Sequence, residues 1–454
     1  MKIYQLVNPY TGEAGEAHPA VSDEVVEQVV AAAASEYATG SHRDQVKERA
    51  AIVARVADLL AERAAEFGEI IVREMGKPLA QAVGEVEFSA DIFRYFADNA
   101  EEFLADEKID AGAGTAWIRK APIGPIVGIM PWNFPIYQIA RFAGPSMILG
   151  NPVIIKPAQQ CPESSAALEK LIRDAGYPVG GYQNLFADSD QIAKMIDDPR
   201  IHGVSLTGSE RAGGIVAAAA GASLKKSVLE LGGSDPFILM STDDIDATVE
   251  AAVAARIDNN GQACNGAKRF IVIDDLYEEF AEKFSAAMGA ITVGDPMEEG
   301  TELGPLSSES AAKSLEEQVA EAVAAGATLR VGTGKRDGNK FAPAVLENIS
   351  ADNPAFITEF FGPVAHLHRV NSEEEAVELA NATPFGLGSY VFTTDADQAD
   401  RIADGIDAGM VYINEVGADA PELPFGGVKN SGTGRELGPH GVEEFMNRKL
   451  VKRP

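Results

Sequence analysis

The first third of the chain places its hydrophobic residues at helical spacing. In residues 23–38 (DEVVEQVVAAAASEYA) the apolar positions recur every three to four residues, with Ser22 as the predicted N-cap and Gly40 as the predicted end. Residues 43–77 continue this pattern. We therefore predict that this region is largely helical.

The pattern changes near residue 124. Short apolar runs bounded by glycine and proline, typical of buried strands, occur in GPIVGIMPW (124–132) and NPVIIKPA (151–158). Helical and extended patterns then alternate through residues 164–176, 181–187, 192–199 and 202–209, and the order strand, helix, strand recurs after residue 230. This alternation predicts an α/β fold with a doubly wound parallel sheet. Residues 115–124 (TAWIRKAPIG) lie outside it and are predicted to form an edge strand or hairpin arm.

Composition narrows the class of protein. A chain of 454 residues is expected to form two or three domains, and 46% hydrophobic residues is ordinary for a soluble globular protein. No apolar run reaches the length of a membrane span, and MKIYQLVNPYTGE is not a charged-then-apolar leader. Two cysteines, Cys161 and Cys264, form no disulfide framework. We therefore expect a cytoplasmic protein.

The chain is strongly acidic. It has 69 Asp and Glu against 38 Lys and Arg, a net charge of −31, which argues against nucleic acid and anionic membranes as partners. A well-solvated surface is one explanation. Because the acids are spread along the chain rather than gathered in a tail, we favour adaptation to high salt, where charge repulsion is screened.

Two predicted strand ends carry groups that suit phosphate or nucleotide binding. Lys156 ends the run IIKPAQQ, at the carboxyl edge where open α/β sheets bind ligands. Gly208 and Ser209, in VSLTGSERAGG, are predicted at the N-terminus of a helix, where backbone N–H groups attract anions. The motif is not GxGxxG. A solvated lysine and a plain strand-turn-helix are the alternatives.

Three further residues stand in unusual settings. Glu230 lies inside the apolar run LELGG, where an unpaired carboxylate is costly. Cys264 lies in a polar, glycine-rich loop (DNNGQACNGAKRF) rather than in an apolar stretch, which favours reactivity, although a lone cysteine is usually an inert small hydrophobic residue. Pro131 and Pro135 bracket Asn133 and stiffen its backbone, as an oxyanion hole requires, although an ordinary turn is the alternative.

The histidines give no metal-site pattern. His366 and His368 are spaced to share one strand face, but no third ligand follows at metal-site spacing. We therefore predict no metal.

Seven motifs occur in a fixed order: PWNFP, KP, TGS, ELGG, GQxC, EFFGPV (359–364) and PFGG (424–427). In this order they resemble the aldehyde dehydrogenase superfamily, and the resemblance runs from NPYTGE (8–13) almost to the C-terminus. Thirty-four residues separate Glu230 from Cys264, which agrees with the family pattern. LKKSVLELGGSDPFI and GQACNGAKRFIV are most similar to the short NAD(P)-dependent succinate-semialdehyde dehydrogenases, although most relatives differ at Ser234-Asp235.

The resemblance implies an aldehyde dehydrogenase-like fold with doubly wound parallel sheets in two domains and a small oligomerisation arm. Residues 1–105 and 124–230 are the implied cofactor-binding domain, and residues 231–432 the catalytic domain. Residues 106–123 and 433–454 are the implied oligomerisation segment. We therefore expect a homodimer or homotetramer.

The resemblance also implies a mechanism. Cys264 attacks the aldehyde carbon, the Asn133 amide and the Cys264 backbone N–H hold the oxyanion, and hydride passes to NAD or NADP. Glu230 then activates the water that hydrolyses the thioester. A CoA-acylating member commonly lacks this base, and a catalytically silent binding protein would have lost one of these residues.

The implied cofactor residues are Ile129, Met130, Trp132, Lys156, Gln159, Gly208, Ser209, Leu231, Glu359 and Phe361. NAD-preferring relatives often carry Glu where Gln159 stands. A carboxylate there would repel the roughly −2 charge of an NADP 2′-phosphate, so Gln159 makes NADP acceptable.

The implied substrate residues are Arg141 and Phe425, the latter at the entrance. Arg141 lies eight residues after Asn133, roughly 11–12 Å along a helix, so its guanidinium could meet the far carboxylate of a four-carbon semialdehyde. We expect succinate semialdehyde or a similar carboxylated aldehyde. Glutarate semialdehyde and general aliphatic aldehydes are the alternatives, and a salt bridge is the structural alternative for Arg141.

Overall fold

Helices and strands alternate through most of the chain, as the sequence predicts. The computed structural model describes residues 2–40 and 45–454. The helices are α1 (Asp23–Ala38), α2 (Val46–Glu62), α3 (Ala64–Met75), α4 (Leu79–Asp98), α5 (Ala100–Phe103), α6 (Tyr137–Leu149), α7 (Pro162–Asp174), α8 (Ser189–Asp197), α9 (Glu210–Ala222), α10 (Ile245–Ile257), α11 (Asp274–Ala290), α12 (Glu309–Ala324), α13 (Glu373–Asn381), α14 (Ala396–Gly405) and α15 (Gly438–Glu444).

The strands are β1 (Ile3–Tyr4), β2 (His18–Pro19), β3 (Glu107–Ile109), β4 (Thr115–Pro122), β5 (Ile126–Ile129), β6 (Val153–Lys156), β7 (Tyr182–Asn184), β8 (Gly203–Thr207), β9 (Lys226–Glu230), β10 (Asp235–Leu239), β11 (Ala267–Ile273), β12 (Thr328–Val331), β13 (Arg336–Asp337), β14 (Lys340–Phe341), β15 (Ala344–Glu347), β16 (Val364–Val370), β17 (Tyr390–Phe392), β18 (Tyr412–Ile413), β19 (Gly432–Thr433) and β20 (Met446–Arg453). None of the helices in residues 2–40 and 45–454 combines the length and hydrophobicity needed to cross a bilayer.

The N-terminal helices follow their hydrophobic pattern closely. Ser22 precedes α1 as predicted, although its side chain makes no capping hydrogen bond, and α1 ends at Ala38. The continuous pattern of residues 43–77 divides into α2 and α3 at Arg63, and α3 ends at Gly76 in the left-handed region. Helices α2, α3, α4 and α6 pack their apolar faces into one core against β5 and β6.

Two sheets carry the doubly wound architecture. The six-stranded sheet has the order β19-β9-β8-β5-β6-β7, and all of its pairs are parallel except β19 with β9. The seven-stranded sheet has the order β12-β15-β16-β11-β10-β17-β18, parallel except at β12. The prediction of parallel α/β sheets is confirmed.

A separate three-stranded antiparallel sheet has the order β20-β4-β3. The predicted arm at 115–124 is β4, and it lies in the middle of this sheet rather than at its edge. Gly432–Thr433, at the boundary proposed between two domains, belongs to the six-stranded sheet. The domain ranges themselves stay predictions.

Candidate active site

The carboxyl ends of four parallel strands meet at one edge of the six-stranded sheet. The register aligns Ile129 with Lys156 on one side and with Leu206 on the other. One residue further along, Thr207 is aligned with Glu230. Ligands of open α/β sheets bind outside such ends. This edge therefore brings the predicted cofactor residues close to the predicted base.

Cys264 lies in a loop that is held in place from two sides. Asn259 adopts φ of 54°, in the left-handed region that asparagine tolerates better than most residues. The Lys268 ammonium donates hydrogen bonds to the backbone oxygens of Cys264 and Gly266 at 2.8 and 3.1 Å. The loop thus presents the half-buried Cys264 side chain to an adjoining cavity.

This cavity has a volume of about 490 Å³, within the range of small-molecule sites. Aromatic rings and charged groups share its wall. They include Phe134, Tyr137, Tyr390 and Phe425 among the aromatic residues, and Lys77, Glu85, Arg141, Asp258 and Asp419 among the charged residues. The space therefore suits a small aldehyde that has a polar far end.

The Cys264 thiol is in a setting that opposes its ionisation. Burial raises the pKa of Cys264 to about 12, and the Glu359 and Glu230 carboxylates act in the same direction. Arg141 and Lys268 act in the opposite direction. Since little thiolate forms at neutral pH, nucleophilic attack here requires a proton acceptor.

Asn133 lies next to the cysteine loop. Its side chain is 4% exposed, and its Nδ2 donates to the backbone oxygen of Gln262 at 3.0 Å, two residues before Cys264. Asn259 Nδ2 donates to the Asn133 backbone oxygen at 2.9 Å. A side-chain amide has two N–H groups, so one holds the loop and the other is left for an oxygen near Cys264.

A buried ion pair supports the turn that carries Asn133. Glu85 Oε1 accepts from the backbone N–H groups of Ile136 and Tyr137 at 2.8 and 3.1 Å. Glu85 Oε2 lies 2.6 Å from Lys77 Nζ, and both side chains are about 1% exposed. The start of α6 is therefore fixed by a carboxylate as well as by the prolines of the sequence.

Glu230 ends β9 as a buried carboxylate. Both of its side-chain oxygens have no hydrogen-bond partner among the described residues. Burial raises the pKa of Glu230 well above its ordinary value, and Glu436 adds to the rise, while Arg141 and Arg435 oppose it. A Cβ added at Gly426 would lie 2.7 Å from Glu230 Oε1, so the PFGG segment approaches this carboxylate closely. An orphaned buried carboxylate of raised pKa suits a general base.

Arg141 is 0% exposed and lies on the cavity wall. Its Nε lies 2.7 Å from Glu436 Oε2, and its guanidinium lies 4.1 Å from the centroid of the Phe425 ring. Nη2 donates to Gln138 Oε1 at 2.5 Å. Burial acts to lower the pKa of Arg141, but Glu436, Tyr137, Glu230 and Cys264 together outweigh it, so the pKa is raised. Phe425 is itself buried behind this guanidinium rather than exposed at an entrance.

The predicted cofactor residues line the sheet edge. Ser209 Oγ accepts from the Ala212 N–H at 3.4 Å and caps α9, and the Gly208 N–H donates to the Glu230 backbone oxygen at 2.9 Å. The Met130 N–H donates to the Lys156 backbone oxygen at 3.0 Å. Strand ends and the start of α9 are thus tied together.

Four more of the predicted cofactor residues lie in two pairs, Lys156 with Gln159 and Trp132 with Phe361. Burial lowers the pKa of Lys156 to about 8, with Lys2 adding to the effect, and the Gln159 side chain is exposed nearby on the chain. Farther along the chain, the rings of Trp132 and Phe361 meet edge to face at 5.7 Å.

Two buried contacts complete this edge of the site. Glu359 Oε1 accepts from the Gly233 N–H at 3.1 Å and lies 3.5 Å from Lys268 Nζ. The Leu231 N–H donates to the Ser431 backbone oxygen at 2.9 Å.

These groups fit a nicotinamide dinucleotide. Thr207 Oγ1 is buried without a partner in the described part of the chain, at the same strand end as the N-terminus of α9. A Cβ at Gly232 would lie 2.7 Å from carboxylate oxygens of Glu210 and Glu359, so only glycine lets them approach this backbone. A helix N-terminus, a buried ammonium and hydroxyl groups are the donors that phosphates and riboses need.

Comparison with known proteins decides the family. The model of the aldehyde dehydrogenase family matches residues 1–451. The chain belongs to the aldehyde dehydrogenase family. It is 47% identical over 452 residues to a Deinococcus radiodurans protein named succinate-semialdehyde dehydrogenase (NADP+), covering 99% of this chain and 94% of that one. A Mycobacterium avium protein of the same name is 45% identical over 450 residues, covering 98% of this chain and 95% of that one.

Solved structures agree with this aldehyde dehydrogenase assignment. The succinic semialdehyde dehydrogenase of Streptococcus pyogenes, solved with NADP+, has a TM-score of 0.97 and 39% identity, covering 99% of this chain and 100% of that one. A structure described as giving insights into cofactor and substrate selection by Gox0499 has a TM-score of 0.98 and 46% identity, and each chain is covered completely. The predicted fold and the predicted family are therefore confirmed.

Several residues of this aldehyde dehydrogenase site were not found from the sequence. Glu436 pairs with Arg141 although the two are far apart in the chain. Lys268 was not predicted, because it lies at the start of a strand and contacts backbone oxygens. Such contacts leave no signal in the sequence. For Asn259, the run Asn-Asn-Gly was a usable sign, because these residues favour the left-handed region.

Proposed function

We propose that this aldehyde dehydrogenase oxidises succinate semialdehyde to succinate with NADP+. The observation that carries the proposal is that Cys264 and the buried guanidinium of Arg141 line the same cavity of about 490 Å³. The names of the Deinococcus and Mycobacterium relatives and the NADP+ complex of the Streptococcus enzyme support it.

The chain's own residues account for each step. Glu230 accepts the Cys264 proton, and the sulfur then bonds to the aldehyde carbon while the Asn133 amide and the Cys264 N–H hold the resulting oxyanion. A nicotinamide cofactor held at the sheet edge would supply the hydride acceptor, and loss of hydride from the tetrahedral carbon would leave a thioester on Cys264. After Glu230 has released that first proton to solvent, it removes a proton from water, whose oxygen bonds to the thioester carbon. The carbon–sulfur bond then breaks, the acid leaves, and the Cys264 sulfur departs as a thiolate that takes a proton back. The lack of fixed partners for Glu230 supports this double use.

Cofactor binding is assigned to the carboxyl edge of the six-stranded sheet. Ser209 and the N-terminus of α9 would hold the pyrophosphate, and Lys156 the adenosine ribose. Glu359 would bind the nicotinamide ribose. The exposed Gln159 amide, unlike a carboxylate, does not repel a 2′-phosphate, which supports NADP+ over strict NAD+ use.

Arg141 is proposed to hold the far carboxylate of the substrate. Its contacts with Glu436, Gln138 and Tyr137 occupy part of the guanidinium, which has five N–H groups in all. Those left over can point into the cavity. Phe425 supports the same guanidinium from behind.

Larger-scale features remain part of the proposal. The ranges 1–105 with 124–230, 231–432, and 106–123 with 433–454 are proposed as cofactor-binding, catalytic and oligomerisation units. The exposed side chains of Ile109 and Leu450 on the three-stranded sheet support a homodimer or homotetramer formed through it. The net charge of −31 supports a salt-adapted enzyme, and a cytoplasmic location is inferred from the two free cysteines.

An aldehyde panel with both cofactors tests the assignment. Succinate semialdehyde, glutarate semialdehyde and butanal are compared by kcat/KM with NADP+ and NAD+, from the absorbance of the reduced nicotinamide. We expect succinate semialdehyde with NADP+ to be the best pair, and Gln159→Glu to shift preference towards NAD+. If the panel shows no NADP+ turnover, the cofactor assignment is wrong.

The role of Arg141 is tested with a variant that leaves Glu436 paired with a positive charge. Arg141→Lys keeps a cation beside Glu436 but loses the two-pronged geometry. We expect KM for succinate semialdehyde to rise by roughly tenfold or more while butanal changes little, since only the acid loses a partner. Equal losses for both aldehydes would show that Arg141 is structural.

A further inference from the structure

Asp419 places a carboxylate on the wall of the cavity that contains Cys264. It is half-buried and follows β18 in a loop that also contributes Val416 and Gly417 to the wall. Asp258 lines the same cavity, where desolvation raises its pKa, Lys77 opposes the rise and the Asp419 charge adds to it. Two carboxylates therefore lie close together in the space that a substrate enters.

The Asp419 carboxylate is held in one orientation. Tyr412 Oη donates to its Oδ1 at 2.8 Å, and Asn265 Nδ2 donates to its Oδ2 at 3.1 Å. Asn265 directly follows Cys264, and the Tyr390 Oη in turn donates to the Asn265 backbone oxygen at 2.8 Å. The orientation of Asp419 is thus coupled to the loop of the nucleophile.

The cations on this wall already have partners. Arg141 is paired with Glu436 at 2.7 Å, and Lys77 with Glu85 at 2.6 Å. The side chains of Asp258 and Asp419 therefore give the described cavity wall an excess of negative charge. A carboxylate that enters such a space is repelled, and partial exclusion of water strengthens the repulsion.

Exposure orders these groups by depth. Asp258 is exposed, Asp419 is half-buried and Arg141 is fully buried. Asp419 therefore lies nearer to solvent than the guanidinium does, on the side from which an aldehyde enters.

We propose that Asp419 is a specificity-determining residue that penalises aldehydes with a far carboxylate relative to neutral aldehydes of the same length. The inference rests on the proposed function of this cavity and refines it. Arg141 holds the far carboxylate of a substrate that has already bound, and Asp419 determines how readily such a substrate enters the cavity. Aldehydes whose far end is a hydroxyl or an ammonium group donate to Asp419 instead, so they escape the penalty.

The test is the ratio of kcat/KM for succinate semialdehyde to that for butanal, with NADP+ in the full-length enzyme. Asp419→Asn keeps the shape and one acceptor but removes the charge, and Asp419→Ser is a second variant should the first fail to fold. Asp352→Asn, at an exposed position, is the matched control for net charge. We expect the ratio to rise on the order of tenfold in both Asp419 variants, through KM, and to stay unchanged in the control.

Salt gives an independent readout. In the wild type, added KCl should raise kcat/KM for succinate semialdehyde and leave butanal nearly unchanged, because salt screens the cavity charge. The whole acidic protein also repels the anion, so the decisive result is a smaller salt effect in Asp419→Asn than in Asp352→Asn.

Each outcome decides the question. An unchanged ratio, equal losses for both aldehydes, or equal salt effects in the Asp419→Asn and Asp352→Asn variants would overturn the role of Asp419. If the wild type oxidises butanal but the ratio does not respond, this inference alone fails. If the wild type oxidises neither aldehyde with NADP+, the proposed function fails first.

Discussion

At the scale of single residues, the proposed mechanism depends on two buried acids, the Cys264 thiol and the Glu230 carboxyl. Burial raises the pKa of the Cys264 thiol and of the Glu230 carboxyl in the same direction. Arg141 opposes both shifts. Since burial disfavours the ionised form of each group, neither carries a permanent charge. In the proposed mechanism the proton moves between them when an aldehyde is bound.

Cys264→Ala is expected to abolish aldehyde oxidation, because no other group on the described cavity wall is a thiol. NADP+ binding, followed by tryptophan fluorescence, should stay nearly intact. Cys161→Ala is the control, since Cys161 is buried outside this cavity. Substantial turnover by the Cys264→Ala variant would exclude the thioester mechanism.

The raised pKa of Cys264 predicts a particular pH profile for alkylation. Thiolate is the reactive form, so the rate with iodoacetamide in a Cys161→Ala background should rise about tenfold per pH unit from pH 7 to 9. The rise should continue beyond pH 9, where an ordinary thiol levels off, because the pKa is about 12. An alkylation rate that levels off below pH 8 would contradict the raised pKa of the thiol.

Glu230→Gln is expected to slow thioester hydrolysis more than hydride transfer. The carboxylate form is the base, and since burial raises its pKa, turnover in the wild type should increase with pH at values where an ordinary glutamate is already fully ionised. Rapid mixing separates a burst of reduced cofactor from the slow hydrolysis that follows. The variant should show a slower burst, because Cys264 also loses its proton acceptor, a hydrolysis that is slowed more strongly still, and no rise with pH. Unchanged steady-state turnover would rule out an essential base.

At the scale of elements, the connection between β5 and α6 carries Asn133, the proposed oxyanion donor. Glu85, on α4, satisfies two backbone N–H groups at the start of α6, where a helix leaves such donors unpaired. The same carboxylate pairs with the buried Lys77. A side chain from a neighbouring helix therefore helps to fix the turn that carries Asn133.

Glu85→Gln is expected to destabilise the enzyme by about 3–5 kcal/mol, because it leaves the buried Lys77 ammonium without its counter-charge. Chemical denaturation measures this loss. The double variant Glu85→Gln/Lys77→Met, which removes both charges, should recover a large part of the stability. A double variant that is no more stable than Glu85→Gln would show that the charge of Lys77 is not the cause.

Sequence patterns were informative about elements and much less so about contacts between them. The parallel strands were evident from short apolar runs, because strands covered by helices on both faces leave a continuous hydrophobic signal. The ordered motifs located Cys264, Glu230 and Asn133. The structure places Cys264 on the cavity wall, Asn133 against the cysteine loop and Glu230 at the end of β9, and their roles stay predictions. The pairing of Arg141 with Glu436 was out of reach, since it forms only when distant segments meet.

At the scale of the whole molecule, the acidic groups far outnumber the basic groups that could pair with them. If every Lys and Arg paired with one acid, 31 acidic groups would still have no basic partner. Many pairs that do form are solvent-exposed, such as Lys194 with Asp23, and such pairs contribute little each. Repulsion among the surplus acids therefore opposes the folded state at low ionic strength.

Added KCl is expected to raise the melting temperature and the activity of this enzyme up to molar concentrations. Screening shortens the range of charge repulsion from about 10 Å at 0.1 M salt to about 3 Å at 1 M, so each surplus acid interacts with fewer neighbours. Calorimetry at 0.1, 1 and 2 M KCl measures the effect. The control is a triple variant at exposed acids, Glu298→Gln, Glu299→Gln and Asp352→Asn, which should be more stable at low salt and gain less from KCl. A melting temperature that does not rise with KCl would contradict adaptation to salt. An equal rise of the melting temperature in the wild type and the triple variant would show that the salt acts by a route other than charge screening.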